Sequence, residues 1–548
     1  MKRTSLLVLG ACSIFYLSCS DQTTIFERQS ENLELETNQT VLDNSVILDN
    51  AGVLDIFSKS RDTGKFSRFL NEQAGKYPLA LVAQIAPPSF NGGENLTATH
   101  VYLEGDYAYV SYNTAGETYA GAIDIVNVAD PNRPVLSSRV RLTNADLSSI
   151  IFDDGYVYGV GGVDSEQSAI ATSNSFVIKL TVVNGRFDLD SGFLLGFQEG
   201  FVATDVETIE NEVIVTSGKD GLVTRYDKST LEIIDEVAYA DLRSVDISNN
   251  TIAVLDAAHG ARLLDFNLSE LSSIPISADF RIADKRTLAL MNDKIVVSEG
   301  ADGAAIYDLN TGSLLERTSI PINPENTAQS DIVTNSVTVN DDIFLMANGG
   351  AGLSMSEGVT SASSTNQVGI IELNGSINYV TSRDDYIFAA SGRNGLQIIK
   401  MNKPSASLQA KCETSPRYSG SARLNVATDQ NLAYSGSRRF NTIDVSGSLL
   451  LCGTWTVRNE VNINENALFE IQGTFIVARN NRRRNLRVGE NGTFRVEGNL
   501  TIYGDLILED AASLEFLGND STVNIFGDVQ IGDNVTISGT FDDVQNKF

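Results

Sequence analysis

The chain is poor in histidine, tryptophan and positive charge. Its 548 residues include two His and one Trp, and 40 Lys and Arg stand against 70 Asp and Glu, for a formal net charge of −30. So few histidines argue against a His-based catalytic centre or a zinc site. The negative charge argues against nucleic acid or anionic lipid as the main partner, because both would be repelled.

Proline is also scarce, with 10 residues, whereas 44 glycines suit many short turns. Hydrophobic residues make up 42% of the chain, which is enough to bury sizeable cores and argues against wholesale disorder. The length predicts either two to four domains or one large repeat fold.

The first residues have the layout of a secretory signal, which we assign to residues 1–18. Lys2 and Arg3 precede an apolar run over 5–17 that is too short to span a bilayer. The placement of Cys19 resembles the lipobox of bacterial lipoproteins, in which the cysteine is acylated and becomes the new N-terminus. A competing box over 9–12 would leave too short an apolar core. An ordinary cleaved signal with an incidental cysteine is the alternative.

Ser20 and Asp21 follow this cysteine. A small polar residue and then an acidic one resemble the surface-export tag of Bacteroidota-type lipoproteins. The resemblance implies an outer-membrane protein that is held by an N-terminal lipid and exposed on the cell surface. We interpret residues 19–78 as a lipidated tether, in which the stretch 44–71 could hold a short helix.

The positions of the four cysteines predict a different fate for each pair. Cys12 is lost with the signal and Cys19 is lipidated, which leaves Cys412 and Cys452 as an even pair in an oxidising compartment. We expect these two to form a disulfide, with two free buried thiols as the alternative. The sequence has no CxxC pair and no Cys/His cluster, so it predicts no metal site and no cofactor.

Residues 79–403 repeat a unit in which two apolar strands are separated by a glycine-containing turn. Seven copies recur at a period of about 40–55 residues, which is the range of β-propeller blades. Their paired strands begin near 107 and 121, 156 and 176, 213 and 221, 251 and 260, 294 and 303, 342 and 352, and 386 and 395. We therefore predict an all-β chain with a seven-bladed β-propeller.

The seventh copy lacks an outer strand before the chain changes character near Lys403. The apolar stretch 79–85 precedes the first copy and can supply that strand. Such a closure would join the two ends of the ring and remove an exposed sheet edge.

The first copy continues through Ile123-Asp124-Ile125 to Asp130-Pro131-Asn132-Arg133-Pro134. This stretch resembles the LVIVD-repeat propellers, which are bacterial and archaeal cell-surface proteins. The resemblance covers roughly residues 79–402 and implies a surface location. It brings no catalytic residues to carry over.

A polar residue stands just before each innermost strand of the predicted propeller. Such positions line one mouth of the central channel, so they form a candidate binding ring, although strand starts near water are commonly polar. The seven residues are His100, Ser149, Asp205, Ser244, Thr287, Ser336 and Tyr379.

The last quarter of the chain has a different pattern. Residues 404–438 are polar and Ser-rich, as in a linker or cap. From 439 to 548, apolar i, i+2 pairs run from Ile443/Val445 through Trp455/Val457 to Val535/Ile537, mostly six to eight residues apart. Short strands with tight turns predict a small β-solenoid of the parallel β-helix type, with a β-sandwich as the alternative.

One basic stretch interrupts these pairs. Arg479, Arg482, Arg483, Arg484 and Arg487 fall where the spacing widens, which predicts a protruding loop. The loop is either a solvated charge run or a docking site for an acidic protein face or an anionic surface glycan.

Three functions fit the sequence. The first is a non-enzymatic scaffold or accessory subunit that binds other outer-membrane proteins in uptake, secretion or barrel assembly. The second is a glycan-binding adhesion lipoprotein, which a single Trp weakens although 17 Tyr could supply stacking platforms. The third is a propeller hydrolase or lyase, which lacks a recognisable nucleophile or metal constellation.

Overall fold

A computed structural model describes most of the chain after residue 32. The described residues are 33–48, 52–53, 56–57, 79–90, 93–114, 116, 118–276, 280, 285, 287–321, 328–360, 364–371, 373–401, 408–518 and 520–548. The predicted signal and Cys19 lie outside them. No helix within these residues is long and apolar enough to cross a membrane.

The described chain begins with short elements that lie on the rest of the fold. They are β1 (Leu33–Leu35), α1 (Gln39–Asn44), β2 (Val46–Ile47), β3 (Gly52–Val53) and β4 (Ile56–Phe57). Asn38 caps α1 by accepting a hydrogen bond of 3.1 Å from the backbone N–H of Thr40. Leu42 of this helix is buried.

The chain then forms successive four-stranded antiparallel meanders, which we label A to G. They follow β5 (Leu79–Ile85) and a small hairpin of β6 (Ser89–Phe90) and β7 (Glu94–Asn95). Meander A comprises β8 (Thr97–Glu104), β9 (Tyr107–Asn113), β10 (Gly121–Asn127) and β11 (Val135–Leu142). Meander B comprises β12 (Ala145–Asp153), β13 (Tyr156–Val163), β14 (Ser175–Val183) with a short partner β15 (Arg186–Phe187), and β16 (Phe193–Gln198).

Meanders C and D share one long strand. Meander C has β17 (Ala203–Ile209), β18 (Glu212–Ser217), β19 (Lys219–Asp227) and the first half of β20 (Ile233–Ser248). The second half of β20 is the inner strand of meander D, which continues with β21 (Thr251–Asp256), β22 (Gly260–Leu264) and β23 (Glu270–Pro275).

Three meanders complete the propeller. Meander E has β24 (Leu288–Met291), β25 (Lys294–Ser298), β26 (Ala304–Asp308) and β27 (Leu314–Thr318). Meander F follows a 3-10 turn at Gln329–Asp331 and has β28 (Ile332–Asn340), β29 (Ile343–Gly349), β30 (Leu353–Glu357) and β31 (Asn366–Ile371). Meander G has β32 (Tyr379–Arg383), β33 (Tyr386–Ala390) and β34 (Leu396–Met401).

The outer strand of meander G comes from the start of the fold. β5 pairs with β34, from Leu396 opposite Ile85 to Met401 opposite Leu79. The stretch 79–85 therefore supplies the missing strand, as the sequence predicts. Each of the seven sequence copies occupies the second and third strands of one meander, because the glycine turn connects those two strands.

Part of the predicted tether 19–78, from β1 to β4, forms a strap on the propeller. β1 pairs with β11, β2 and β3 pair with β5, and β4 pairs with β31. These additions extend three sheets at their outer edges and satisfy backbone groups that would otherwise be unpaired. The described helix α1 ends at Asn44, the first residue of the stretch 44–71 predicted to hold a helix, and most of that stretch lies outside the described residues.

The C-terminal module is a β-solenoid of about six coils, each contributing one strand to a six-stranded parallel sheet. This sheet contains β35 (Arg423–Val426), β37 (Thr442–Val445), β39 (Val461–Ile463), β41 (Leu486–Val488), β43 (Leu506–Leu508) and β46 (Val529–Ile531). The strands that alternate with them are β36 (Asn431–Phe440), β38 (Ser448–Val457), β40 (Leu468–Val477), β42 (Thr493–Ile502), β44 (Ser513–Phe516), β45 (Ser521–Ile525), β47 (Thr536–Ser538) and β48 (Phe541–Asp543).

Parallel pairing in register explains the spacing of the apolar pairs. Leu449 lies opposite Phe469, which lies opposite Phe494, so equivalent side chains stack from coil to coil in one core. The sandwich alternative is excluded because all these strand pairs are parallel. Trp455 is fully buried in this core, stacked on Phe440 at 5.6 Å between ring centroids.

A column of glycines bends the four longest strands of the solenoid. Gly436, Gly453, Gly473 and Gly498 lie opposite one another in β36, β38, β40 and β42. Each has φ between 115° and 126°, a region that residues with a side chain rarely adopt. In β38, β40 and β42 the glycine separates two apolar pairs, such as Leu449/Leu451 and Trp455/Val457, which line the core.

The solenoid begins at Arg423, so residues 423–438 of the predicted linker or cap 404–438 are part of it. Before it, α2 (Gln409–Glu413) forms a cap, and Leu408 packs against Leu450 and Cys452. The predicted disulfide joins Cys412 to Cys452, with 5.7 Å between their Cα atoms. It fixes the cap to the second coil.

Polar contacts join the two modules. Arg133, in the turn between β10 and β11, donates a 2.7 Å hydrogen bond to Asp542 and another to the carbonyl oxygen of Asp543. Lys400 of β34 donates to the carbonyl of Asp520 at 2.6 Å and to the Thr522 hydroxyl at 2.9 Å. The solenoid therefore rests on the ends of meanders A and G.

Candidate functional site

The predicted ring residues lie at the starts of the inner strands, and several follow a β-bulge. The pairing of β8 with β9 skips Thr99 before His100, and that of β12 with β13 skips Ser148 before Ser149. The same irregularity precedes Asp205 in β17 and Ser244 in β20. A bulge leaves its extra residue outside the ladder, so its carbonyl is available for other partners.

Asp205 links three neighbouring inner strands. Its carboxylate accepts hydrogen bonds from Ser149 at 2.7 Å and from Ser244 at 2.8 Å, and also from the backbone N–H of Val245 at 3.1 Å. Burial raises the pKa of Asp205, and these hydrogen bonds together with the nearby Lys285 ammonium oppose the increase. The structure thus brings three of the seven predicted residues into one hydrogen-bonded cluster.

Lys285 is a central residue of this site that the sequence did not reveal. It lies on the connection between meanders D and E, and its Nζ donates to the carbonyls of Thr99 at 2.8 Å and of Ser148 at 2.7 Å. These are the two carbonyls freed by the bulges of meanders A and B. The ammonium therefore bridges the inner strands of meanders A and B. Burial lowers the pKa of Lys285 to about 8, and Asp205 limits the decrease.

His100 and Tyr379 meet where the first and last meanders join. Their ring centroids are 3.9 Å apart, and the rings are inclined by 54°. Burial, with Lys285 as a second cause, lowers the pKa of His100 well below its usual value, so this imidazole is neutral at pH 7. Its Nδ1 is buried and has no hydrogen-bond partner among the described residues.

The remaining ring residues also bond within the propeller. Ser336 accepts from the backbone N–H of Val380 at 2.9 Å, so it joins meanders F and G. Thr287 faces Ser298 with 3.4 Å between the hydroxyl oxygens. The Asp205 cluster thus joins the inner strands of meanders B, C and D, and Ser336 joins those of F and G, whereas the Thr287 contact lies within meander E.

A layer of carboxylates lies two residues further along two of these strands. Burial raises the pKa of Glu207 well above its usual value, and the negative charges of Asp246 and Asp205 add to the effect. Burial also raises the pKa of Asp246. The backbone N–H groups of Leu290 and Ile247 donate to its carboxylate at 2.6 and 2.7 Å, and these hydrogen bonds limit the increase. Strand alternation could have found both, since each stands two positions after a ring residue.

Lys285 gives this cluster a measurable titration. We expect its amine to reach half-maximal acetylation near pH 8 in the folded protein, because a buried ammonium loses its proton more easily than a solvated one. In the unfolded chain the pKa of Lys285 returns to its usual 10.5. Between pH 8 and 10.5 the unfolded chain therefore binds more protons at this amine than the folded protein does, so the amine makes folding stability rise with pH over that range. Competitive labelling with peptide mass spectrometry measures the value, and the same peptide in denaturant is the control. Half-maximal labelling of the folded protein near pH 10.5 would contradict this.

Four of the five predicted arginines form a short exposed corner between β40 and β41. The backbone N–H of Arg482 donates to the Arg479 carbonyl at 2.9 Å, which closes a tight turn. Arg479, Arg482 and Arg483 are exposed, and Arg484 is half-buried. Arg487 is separate from this corner, because it lies on β41 and pairs with Glu509 of the next coil.

Comparison with known proteins finds propellers among solved structures. No protein-family model matches the chain, and no curated protein matches it. The WD40 β-propeller domain of Doa1 is 12% identical with a TM-score of 0.41, over 57% of this chain and 96% of that one. The RRP9 WD40 repeats are 13% identical with a TM-score of 0.42, over 58% and 99%. The U3-55K structure is 12% identical with a TM-score of 0.43, over 56% and 96%. The propeller assignment rests on the strand pairing described above.

Proposed function

We propose that this chain is a non-enzymatic outer-membrane lipoprotein, anchored through Cys19 and exposed on the cell surface. It acts as a protein-interaction scaffold or as an accessory subunit of an outer-membrane complex for uptake, secretion or barrel assembly. We further infer that the meanders close as one seven-bladed ring of the LVIVD-repeat type.

One observation favours the scaffold function over a glycan-binding or enzymatic function. Ser149 and Ser244 donate to Asp205, Ser336 accepts from the backbone N–H of Val380, and Lys285 donates to two bulge carbonyls. The hydrogen-bonding groups of Ser149, Asp205 and Ser244 thus hold inner strands together rather than receive a substrate. The docked solenoid enlarges the surface that the chain offers to partners.

Purification from gently solubilised native membranes tests this function. We expect the full chain to co-purify at a fixed ratio with a specific outer-membrane protein, and protease treatment of intact cells to remove it. The Cys19→Ala variant should lose membrane retention, because acylation needs the thiol. Recovery of the chain alone, or its full protection from protease on intact cells, would contradict the proposal.

A second candidate function rests on the exposed arginine corner. Three exposed guanidinium groups within five residues can bind an anionic surface glycan or an acidic protein face in bidentate fashion. The triple variant Arg479→Ser, Arg482→Ser, Arg483→Ser should then lose most retention on an immobilised anionic polysaccharide. Arg487→Ser is the control, since it removes an arginine that is already paired with Glu509. Equal retention of the wild type and the triple variant would remove this candidate.

A further inference from the structure

The outer edges of the meanders are not all covered. The strap pairs with the outer strands of meanders A, G and F through β1, β2, β3 and β4. Among the described residues, no strand pairs with the outer edges of β16, β23 and β27, or with that of the first half of β20. An uncovered edge offers a row of backbone donors and acceptors to a further strand.

A β-bulge near the start of the outer strand recurs in several meanders. The exposure of its extra residue depends on whether a strap strand pairs with that outer strand. In meanders C, D and E the residue skipped by the pairing is Ile234, Leu271 and Leu315, respectively. These side chains are 48%, 59% and 51% exposed. They therefore form a series of exposed apolar side chains on three consecutive edges, which we call the knobs.

In the meanders whose outer strand pairs with the strap, the residue at the same bulge position is less exposed. In meander G the skipped residue is Val82, which is 8% exposed and packs in the core cluster that contains Leu42 of the strap. In meander F it is Val368, which is half-buried. In meander A the skipped residue is the polar Ser137. An apolar residue at this bulge is thus buried in meander G and half-buried in meander F, and it is exposed where none of the described strands covers the edge.

The charges around the exposed knobs are mainly negative. Glu232, Asp235 and Glu236 flank Ile234, and Glu270, which pairs with Arg262, precedes Leu271; all four side chains are exposed. The exposed cation of these edges, Arg317, is already paired with Glu299. A segment with Lys or Arg near its apolar residues fits such an edge, whereas an acidic one would be repelled.

These knobs also lie on the rim that already bears an interface. Each stands just after the turn that enters the outer strand of its meander. The equivalent turn of meander A holds Arg133, which binds the solenoid through Asp542. A partner bound at meanders C to E would therefore occupy the same rim of the propeller as the solenoid.

We propose that the outer edges of meanders C, D and E bind an extended segment of a partner protein by strand addition. The segment places apolar side chains against Ile234, Leu271 and Leu315, with Lys or Arg residues facing the flanking carboxylates. This mode repeats what the strap does at meanders A, F and G. It rests on the scaffold function proposed above and names the surface and the partner chemistry.

Photo-cross-linking in native membranes tests this surface. A photoreactive phenylalanine analogue is placed in the full lipid-anchored chain at position 234, 271 or 315, and at 170 as an exposed control. We expect the three edge positions, but not 170, to cross-link to segments of one protein in which apolar and basic residues alternate. Cross-links to residues 20–32 or 58–78 of the same chain, to a second copy, or to no protein would overturn the proposal.

A serine variant measures the contribution of the knobs. Ile234→Ser, Leu271→Ser and Leu315→Ser together should lower partner recovery at least tenfold, and because the side chains are exposed the fold should be retained. Ile170→Ser, Val183→Ser and Ile531→Ser remove three other exposed apolar side chains as the matched control. If the partner co-purifies equally with both triple variants, strand addition here is wrong and the scaffold function stands. If no partner co-purifies even with the wild type, both proposals fail.

Discussion

Replacing Gly453 with alanine is expected to destabilise the solenoid by about 3–5 kcal/mol. Gly453 has φ of 118°, and a Cβ built on it lies 2.2 Å from the carbonyl oxygen of Gly436 in the neighbouring coil. That oxygen belongs to the backbone, so it can move away only if the parallel ladder between β36 and β38 is distorted. Both the backbone strain and the clash therefore contribute to the loss.

Gly436 provides a matched control within the same column. Its φ of 126° is similarly unfavourable for alanine, but the nearest atom to a built Cβ is 3.7 Å away, on the side chain of Arg417. Gly436→Ala should therefore cost only the backbone strain, about 1–2 kcal/mol. The difference between the two variants isolates the contact between coils.

The single tryptophan makes this measurement specific. Trp455 is fully buried in the solenoid, so its fluorescence during denaturant unfolding reports the solenoid and not the propeller. The midpoint should fall strongly for Gly453→Ala and modestly for Gly436→Ala. Equal shifts for the two variants would show that close stacking between coils contributes nothing. Gly498→Ala, whose Cβ would lie 2.2 Å from the Gly473 carbonyl, should behave like Gly453→Ala.

The alternation of apolar residues was enough to predict the strands and inward faces of the solenoid. Leu449, Leu451, Trp455 and Val457 line the core because a strand has a period of two, whatever its neighbours are. The glycine column could not be predicted in the same way. Equivalent residues such as Ile443, Val461, Leu486 and Leu506 stand 18, 25 and 20 positions apart, so the register between coils is not visible in the chain.

The propeller shows the same limit at its centre. Repeat alignment placed His100, Asp205 and Ser244 on the inner strands because each copy has the same order of strands. Lys285 belongs to no copy, and it reaches Ser148 across 137 positions only because the meanders surround one axis. Charge and spacing along the chain carry no signal for such a contact. The strap was missed for a similar reason, since its strands of two or three residues are defined by the edges they join.

Replacing Arg139 with methionine should destabilise the propeller by about 3–5 kcal/mol. Arg139 and Asp124 are 2% and 0% exposed, and they form a bidentate pair with N–O distances of 2.6 and 2.7 Å. Asp124 therefore has a structural role in meander A. Without the guanidinium, the Asp124 carboxylate keeps the Tyr112 hydroxyl, at 2.9 Å, as its one side-chain partner among the described residues.

The position of this pair adds to the expected loss. Arg139 also donates to the carbonyl of Ala86, just after the closing strand β5, at 2.9 Å, and to the hydroxyl of Ser45, at the end of α1, at 3.3 Å. One side chain thus connects meander A with the strand that closes the propeller and with the strap. Its removal should loosen this seam before it affects meanders C to E.

Hydrogen exchange resolved by peptide can locate this effect. In Arg139→Met, peptides from β5, β10 and β11 should lose protection first, and the Trp455 transition of the solenoid should shift least. Asp124→Asn combined with Arg139→Met should recover part of the stability, because it removes the unpaired buried charge. Arg225→Met is the control, since its bidentate pair with Glu212 has similar distances but is 12% and 22% exposed, and we expect a cost of about 1 kcal/mol. Similar losses for Arg139→Met and Arg225→Met would mean that burial of the Asp124 pair does not stabilise the closure.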